Sequence, residues 1–483
     1  MLFNSYVYIF AFLPAAFAGY FLLAQKQTRL ARAWLILASL FFYSYWNIKY
    51  LPLILVSLGV NYFLGRRIGD KAQEDEAEAK TLLILGLVFN IGLLGYFKYA
   101  DFFISNINYL FGAKLPMLHI VLPLAISFFT FQQIAYIVDA YRGEAKEYDL
   151  LNYALFITFF PQLIAGPIVH HKEMMPQFMD ERNKYINFEN MARGLFIFSI
   201  GLFKKVMIAD TFAYWANWGF DGTYQLTFFE AWITSLSYTF QLYFDFSGYT
   251  DMAIGAALLF NIKLPVNFNS PYKALNIQDF WRRWHMTLSR FLRDYIYIPL
   301  GGNRKGELLT YRNLMITFLI GGLWHGAGWN FVFWGFLHGL ALIIHRLWKK
   351  TGIRMPNILA WFITFNFVNA AWVFFRAKTW HDAIKVLRGM IGLNGVVLPV
   401  NLEGKIVFLD KLPYPYGSFT LQNTMEASLY ILLALIVVLT CRNSVELKDR
   451  FKPNLAYALI IGFLAFVSII HLTNVTQFLY FNF

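Results

Sequence analysis

The sequence predicts an all-α polytopic integral membrane protein. Of its 483 residues, 58% are hydrophobic and only 14% are charged, whereas soluble domains are nearer one quarter charged. Apolar runs recur along the chain, for example at 7–23, 82–97, 429–441 and 456–470. Because a helix needs roughly 20 residues to cross a bilayer, we expect about eleven spans. The runs do not alternate with polar residues, which argues against a transmembrane β-barrel.

The distribution of cations predicts the topology. The formal net charge is +13, and the cations cluster in short loops, as in the positive-inside pattern, so no nucleic-acid partner is expected. No cation precedes the first apolar run, so we interpret it as a span and not a signal peptide. Both termini are expected outside the cytoplasm. The predicted cytoplasmic loops are 66–80, 141–150, 263–312 and 346–354, and the predicted external ones are 98–118, 213–229 and 390–426.

One membrane-embedded domain is expected to fill residues 1–483. It comprises N-terminal spans (1–150), a core with re-entrant segments (151–350) and C-terminal spans (351–483). Within 153–171, Pro161 and Gly166-Pro167 break any helix and predict a re-entrant piece. Four cations fall on the predicted external side and are interpreted as an interfacial helix: Arg376, Lys378, Lys385 and Arg388.

His325 is the strongest candidate for chemistry. It lies in an apolar run, 314–344, without Asp, Glu, Lys or Arg, and an ionisable group at membrane depth costs free energy unless it is used or satisfied. A buried neutral imidazole is suited to take a proton. Since both flanks are predicted to be cytoplasmic, the run predicts a hairpin or re-entrant helix pair. The alternative is a core histidine that donates to a backbone carbonyl.

Residues 279–295, DFWRRWHMTLSRFLRDY, predict one amphipathic helix at the membrane surface. Its cations fall on one side: Arg282, Arg283, Arg290 and Arg293. They either anchor the helix as positive-inside residues or hold the phosphates of an anionic donor. His285, at the edge of the apolar side, is expected to point toward the cavity of His325.

Two aspartates at the end of an apolar run are open to two interpretations. Asp245 and Asp251 would bind a coupling ion in a transporter, or they accept hydrogen bonds from unwound backbone near Gly248, which we favour slightly. His338 and His345 are interpreted as structural or substrate-lining. The pair His170-His171 is expected to be solvated, and Cys441 is a lone cysteine. No metal, P-loop or hydrolase-elbow motif occurs.

Three blocks resemble the membrane-bound O-acyltransferase family: 243–251 with 267–272 (NFNSPY), then 281–295, then 323–339 (LWHGAGWNFVFWGFLHG). Their order and spacing match, and the resemblance covers nearly the whole chain. Within the family the chain looks most like proteins that O-acetylate extracytoplasmic polysaccharides, with alginate first and peptidoglycan or cellulose as alternatives. It looks less like those that D-alanylate teichoic acids.

The resemblance implies an enzyme of the bacterial inner membrane, with tilted helices in a ring around a tunnel. His325 matches the family's catalytic histidine, and His285 matches a second position where other branches carry Asn or Asp. The donor would be a cytoplasmic thioester, acetyl-CoA or an acyl carrier, with no bound cofactor. A periplasmic SGNH-type acetyltransferase partner would receive the acyl group and modify the polymer, docking on 390–426 and 213–229.

His325 would act as general base on an acceptor hydroxyl, and His285 would orient the donor or stabilise the oxyanion. Further donor-binding and cavity-shaping residues are expected to be Arg282, Arg283, Trp284, Arg290, Trp324, Asn330 and His338. The competing hypothesis is a transporter or lipid flippase that uses Asp245, Asp251 and His325 as ion and proton sites. A purely structural scaffold would leave the intramembrane histidine unexplained.

Overall fold

The computed structural model describes residues 1–145, 149–222, 225–472 and 478–479, and its regular structure is almost entirely helical, as predicted. The α-helices are Leu13–Ala24, Thr28–Ser44, Leu51–Lys71, Glu76–Leu94, Ala100–Phe111, Ile126–Tyr141, Leu150–Thr158, Phe160–Leu163, His171–Met179, Phe188–Phe203, Asp210–Asp221, Phe228–Leu259, Ile277–Trp281, Met286–Leu292, Glu307–His325, Trp329–Lys350, Asn357–Arg376, Trp380–Met390, Val407–Asp410, Thr424–Thr440, Ser444–Asp449 and Leu455–Ile470. Single π-helical turns are Tyr8–Phe12, Gly95–Tyr99, Lys204–Ala209 and Arg293–Tyr297, and 3₁₀ turns are Ile48–Tyr50, Glu181–Lys184, Pro271–Lys273 and Val400–Leu402.

Four helices among the described residues are long and apolar enough to cross a membrane: Ile48–Lys71, Glu76–Phe111, Trp329–Lys350 and Asn357–Arg376. Shorter apolar helices are Tyr8–Ala24, Thr424–Thr440 and Leu455–Ile470. The membrane class is therefore confirmed, while the count of about eleven spans and the orientation of the termini stay predictions.

The helix Phe228–Leu259, here called the central helix, is 32 residues long and almost completely buried. Glycines let the helix Phe188–Phe203 approach it closely: a Cβ on Gly248 would lie 2.7 Å from the carbonyl oxygen of Gly201. The first turn of the central helix holds one end of the loop 390–426 in place. There the Glu230 carboxylate accepts a hydrogen bond from the backbone N–H of Thr420 at 2.8 Å. Between its flanking helices the loop holds short elements: a two-residue parallel strand pair, Leu398–Pro399 with Tyr416–Gly417, the 3₁₀ turn Val400–Leu402 and the helix Val407–Asp410.

Asp245 and Asp251 lie within this continuous helix, so the expected unwound backbone near Gly248 is wrong. Each carboxylate instead pairs with a lysine of the π-helical turn Lys204–Ala209. The distances are 2.7 Å from Asp245 to Lys205 and 2.7 Å from Asp251 to Lys204. Side chains, and not backbone groups, therefore balance most of these buried charges.

The predicted hairpin is confirmed as Glu307–His325 followed by Trp329–Lys350. Glycines make the close packing of its two helices possible. A Cβ on Gly322 would overlap the carbonyl oxygen of Phe331, and one on Gly335 would overlap that of Phe318. These glycines admit the neighbouring backbone, because a residue without a Cβ allows such a close approach.

Three further expectations have mixed outcomes. The 153–171 segment is broken as predicted, with helices Leu150–Thr158 and Phe160–Leu163 before an extended stretch. The 98–118 segment is not a loop from its start, because helical structure continues from Glu76 to Phe111. The interpretation of the external cations fits the amphipathic helix Trp380–Met390, where Lys385 donates to the carbonyl oxygen of Phe220 at 3.1 Å.

Candidate active site

The two candidate histidines lie together inside the protein. His325 is the last residue of the first hairpin helix, and His285 lies in a turn between two short helices. Both side chains are buried, and their ring centroids are 6.5 Å apart. The fold therefore brings together two imidazoles that are forty residues apart in the sequence.

The segment 279–295 is not the single amphipathic helix that its periodicity predicts. It forms Ile277–Trp281 and Met286–Leu292, separated by a turn, and His285 has a left-handed backbone with φ of 43°. The turn is fixed by an earlier segment: the Met286 N–H donates to the carbonyl oxygen of Asn267 at 3.0 Å, and the Asn269 N–H donates to that of Arg283 at 2.9 Å. These long-range bonds replace intrahelical ones, and they bury His285 entirely instead of leaving it at the edge of a surface helix.

Asn267 defines the tautomer of His285. The backbone N–H of Thr287, which can only donate, lies 3.2 Å from Asn267 Oδ1, and this fixes that atom as the amide oxygen. His285 Nδ1 lies 3.1 Å from the same oxygen. An oxygen can only accept here, so Nδ1 carries the proton and Nε2 of the neutral ring presents a lone pair.

Aromatic side chains enclose both imidazoles. Around His325, the ring centroids of Trp324, Trp334 and Phe375 lie 4.9, 5.1 and 5.0 Å away. The ring of Phe246 lies 4.8 Å from that of His285. Such walls exclude water and lower the local dielectric constant, which strengthens electrostatic interactions within the site.

A stack of rings links the two histidine-bearing segments. Phe291, on the helix that follows His285, stacks on Phe131 at 4.0 Å, and Phe131 stacks on Trp324 at 5.1 Å. Trp324 precedes His325, so the stack fixes the separation of the two segments. It gives Trp324 a direct structural link to the site, while its cavity-shaping role stays a prediction.

The other expected cavity-shaping residues have definite partners. His338 is buried and its Nδ1 accepts a hydrogen bond from Trp281 Nε1 at 3.2 Å, so its Nε2 carries the proton. Asn330 donates to the carbonyl oxygen of Ala377 at 2.8 Å and ties the hairpin to the helix Asn357–Arg376. Trp284 is buried and stacks on Phe280 at 5.7 Å.

A cationic cavity of about 1010 Å³ opens beside the histidines. Its cations are Arg282, Arg290, Arg293, Arg346, Lys349 and Lys350. Trp281 and Met286 also line it; the first contacts His338 and the second follows His285 directly. Neither His285 nor His325 is among the lining residues, and the cavity approaches the pair through Met286 and Thr287, which follow His285 in the chain.

The arginines of the 279–295 segment have different surroundings. Arg290 forms a bidentate ion pair with Glu173, and Arg293 pairs with Asp294 at 2.7 Å. Arg283 pairs with Asp279 at 2.9 Å and is not among the cavity-lining residues. Arg282 lines the cavity and has no ion-pair partner among the described residues, so it is the arginine best placed to meet a ligand.

The expectation that His170-His171 is solvated is wrong, because both side chains are buried. His170 Nδ1 lies 3.1 Å from the hydroxyl of Tyr295, which donates to Asp139 at 2.8 Å. Nearby, burial raises the pKa of the Glu173 carboxyl, but the hydrogen bonds and charge of Arg290, together with the hydrogen bond from the backbone of His170, outweigh it, and the net shift is downward. Charge at this edge of the cavity is therefore held in fixed pairs.

Three features of the site region are not predicted from the sequence: Asn267, the lysine partners of the two aspartates, and Lys98. The Lys98 amine donates to the carbonyl oxygen of Trp324 at 2.6 Å. Lys98 falls at the start of the predicted external loop 98–118, although a lone lysine close to a long apolar run is a usable signal for an intramembrane group.

Comparison with known proteins identifies the family. A model of the membrane-bound O-acyltransferase family matches residues 139–378, which include both histidines. The peptidoglycan O-acetyltransferase of Helicobacter pylori is 52% identical over 520 aligned residues, covering 100% of this chain and 98% of the relative. The chain belongs to the membrane-bound O-acyltransferase family.

This membrane-bound O-acyltransferase is therefore an acyltransferase enzyme integral to the membrane. A probable alginate O-acetylase of Pseudomonas aeruginosa is 43% identical over 82% of the chain and 75% of the relative. The teichoic acid D-alanyltransferase of Bacillus subtilis is 29% identical over 53% of the chain and 69% of the relative. The expectation that the chain is more similar to the alginate O-acetylases than to the peptidoglycan O-acetyltransferases is therefore wrong. The expectation that it is less similar to the D-alanyltransferases is confirmed.

Proposed function

We propose that this membrane-bound O-acyltransferase moves an acetyl group from a cytoplasmic thioester across the inner membrane for O-acetylation of peptidoglycan. The observation that carries the proposal is the buried pair His285 and His325 beside a cationic cavity. The choice of polymer rests on the peptidoglycan O-acetyltransferase, which aligns over the whole chain. Alginate and cellulose are the alternative acceptors.

The cavity supports acetyl-CoA as the donor substrate. Its volume of about 1010 Å³ is at the upper end of ligand pockets and suits a large donor. Arg282 is positioned for the phosphates of coenzyme A, since guanidinium groups bind phosphate oxygens in pairs. Coenzyme A would bring three phosphate groups to these cations, whereas the phosphopantetheine arm of an acyl carrier protein would bring one.

His325 acts as the general base in this proposal. The acceptor hydroxyl oxygen attacks the thioester carbonyl carbon while the imidazole takes the hydroxyl proton. The tetrahedral intermediate then collapses: a C–O bond has formed, the C–S bond breaks, and the imidazolium returns its proton to the thiolate. The aromatic enclosure keeps out the water that would otherwise hydrolyse the thioester.

The tautomer of His285 favours one of its two expected roles. Stabilising an oxyanion requires an N–H donor at Nε2, whereas the Nδ1–H···Oδ1 bond to Asn267 leaves a lone pair there. Nε2 therefore suits an N–H or O–H of a bound substrate. This supports the orienting role of His285.

The enclosure also favours a small acyl group. Bulky rings surround His325 on several sides at about 5 Å, a distance typical of aromatic contacts. Rings packed this closely would have to move much less for an acetyl group than for a long acyl chain. This supports acetyl transfer over fatty-acyl transfer.

The acetyl group is proposed to leave on the external side to a periplasmic SGNH-type transferase. The region 390–426 is the candidate docking surface. Glu230 supports this assignment, because its carboxylate holds the backbone of Thr420 and Leu421 against the central helix at 2.8 and 3.0 Å. A fixed loop of this kind offers a partner a preformed surface.

The test is acetyl transfer in proteoliposomes. Labelled acetyl-CoA is supplied on the cytoplasmic face, and label is measured on a luminal acceptor or partner for the wild type, His325→Ala and the matched control His381→Ala, which changes an exposed histidine. We expect transfer with the wild type and control and a loss of at least a hundredfold with His325→Ala. Equal transfer by His325→Ala would refute the proposal, and an ion flux lost in Asp245→Asn would support the transporter hypothesis instead.

A further inference from the structure

We propose that Lys98 and Tyr99 are positioning residues that hold His325 in its working orientation. The inference rests on the proposed acyl transfer through His325. Both residues lie at the end of the π-helical turn Gly95–Tyr99, inside the long apolar helix Glu76–Phe111. Neither belongs to the sequence blocks that resemble the family.

The contacts of these two residues converge on one helix end. Lys98 Nζ donates to the carbonyl oxygens of Trp324 at 2.6 Å and His325 at 3.3 Å. The hydroxyl of Tyr99 donates to the carbonyl oxygen of Leu323 at 2.7 Å. Three consecutive carbonyls at the end of the first hairpin helix are thus bound by two consecutive residues of another helix.

This helix end needs such partners. The last four carbonyls of any α-helix have no intrahelical donor, and within a bilayer water is not there to supply one. The chain after His325 turns through Gly326 and Gly328 and provides little side-chain cover. A lysine at the C-terminal end also balances the negative end of the helix dipole.

The lysine is fully occupied by this arrangement. Its third contact is the hydroxyl of Ser127 at 3.2 Å, so the three N–H groups of the ammonium face three acceptors. The same atom lies 5.9 Å from the centre of the Trp324 ring. A lysine inside an apolar helix is costly unless it is paired, and here its partners all belong to the surroundings of His325.

The π-helical turn explains how the side chains reach their targets. One extra residue in a helical turn rotates the following side chains relative to a regular α-helix, and such turns are frequent at functional sites. In this chain the turn ends with Lys98 and Tyr99 facing the hairpin. The imidazole of His325 is then oriented through its own backbone.

The consequence is a change in turnover and not in donor binding. Without the cap, the last turn of the helix unwinds, and a displacement of the imidazole by about 1 Å costs roughly a hundredfold in rate. We expect Lys98→Met to lower kcat ten- to a hundredfold with the KM for acetyl-CoA unchanged. Tyr99→Phe removes one hydrogen bond and is expected to lower kcat severalfold.

The experiment compares these variants with a matched lysine. Lys385→Met is the control, because Lys385 also donates to backbone carbonyls at a helix end, Phe220 and Gly222. Steady-state acetyl transfer gives kcat and KM, thermal unfolding in detergent gives stability, and His325→Ala is measured in parallel. Lys98→Arg keeps N–H donors and is expected to recover part of kcat.

The outcomes separate the two proposals. A wild-type kcat in Lys98→Met and Tyr99→Phe, with His325→Ala inactive, overturns this inference alone. A loss in Lys98→Met that equals the loss in Lys385→Met, with no recovery by Lys98→Arg, also overturns it. Full activity of His325→Ala overturns the proposed function itself. Should Lys98→Met not fold, Tyr99→Phe still supplies the comparison of kcat with KM.

Discussion

The Lys205 ammonium group and the Asp245 carboxylate form a buried ion pair of 2.7 Å between the π-helical turn Lys204–Ala209 and the central helix. Lys205 also pairs with Asp210 at 2.7 Å. Removing one member of a buried pair leaves an uncompensated charge, which costs about 3–5 kcal/mol. The two carboxylates therefore depend on the lysine more than it depends on either of them.

This relationship predicts an asymmetric effect on stability. Lys205→Met leaves Asp245 without its cation and is expected to lower stability by about 3–5 kcal/mol, seen as a lower midpoint of thermal unfolding in detergent. Asp245→Asn is expected to cost less, because Lys205 keeps Asp210. Adding Asp245→Asn to Lys205→Met should restore part of the loss. Simple addition of the two losses would contradict a structural ion pair.

The hairpin glycines predict a second effect on stability. Gly335→Ala is expected to destabilise the protein by several kcal/mol, because its Cβ would overlap the carbonyl oxygen of Phe318, which cannot move without shifting a helix. Gly328→Ala is the control, since the nearest atom to its Cβ is 3.7 Å away and its φ of −167° suits any residue. The amount of folded protein after heating is the measurement. Equal losses in both variants would argue against close packing as the cause.

The cavity arginines predict a difference in donor affinity. Arg282→Gln is expected to raise the KM for acetyl-CoA about ten- to a hundredfold, as a hydrogen bond to a charged group contributes about 1.5–3 kcal/mol. Arg283→Gln is the matched control, because Arg283 pairs with Asp279 and does not line the cavity. The comparison is made with steady-state kinetics at constant ionic strength. A larger effect of Arg283→Gln would exclude the cavity as the donor site.

The Asn267 amide predicts an effect on turnover through the tautomer of His285. Asn267→Leu removes the acceptor for Nδ1–H, and we expect kcat to fall at least tenfold. Asn267→Asp keeps an acceptor oxygen and is expected to retain more activity. Asn90→Leu, an equally buried asparagine paired with Asn61, controls for loss of a buried amide. The pH dependence of kcat should change only in the Asn267 variants, and an identical change in Asn90→Leu would remove the proposed link.

The sequence predicted the membrane class and the hairpin around His325 because both follow from local patterns: apolar runs, and an uncharged stretch interrupted by glycines. The turn at His285 was not predictable, since the bonds that form it come from Asn267 and Asn269. A helical periodicity is a local pattern and carries no information about hydrogen bonds to distant residues. For Lys98 the pattern indicates an intramembrane cation but not its acceptor, because Trp324 is 226 residues further along the chain.

The left-handed backbone at position 285 limits which residues can stand there. Among residues other than glycine, Asn, Asp and His are those enriched at positive φ, while branched and bulky side chains are strained. This small set coincides with the side chains that the resemblance to other branches implies at this position. The turn thus restricts the substitutions that position 285 accepts during evolution. Asn, Asp and His can replace one another there while the surrounding backbone stays the same.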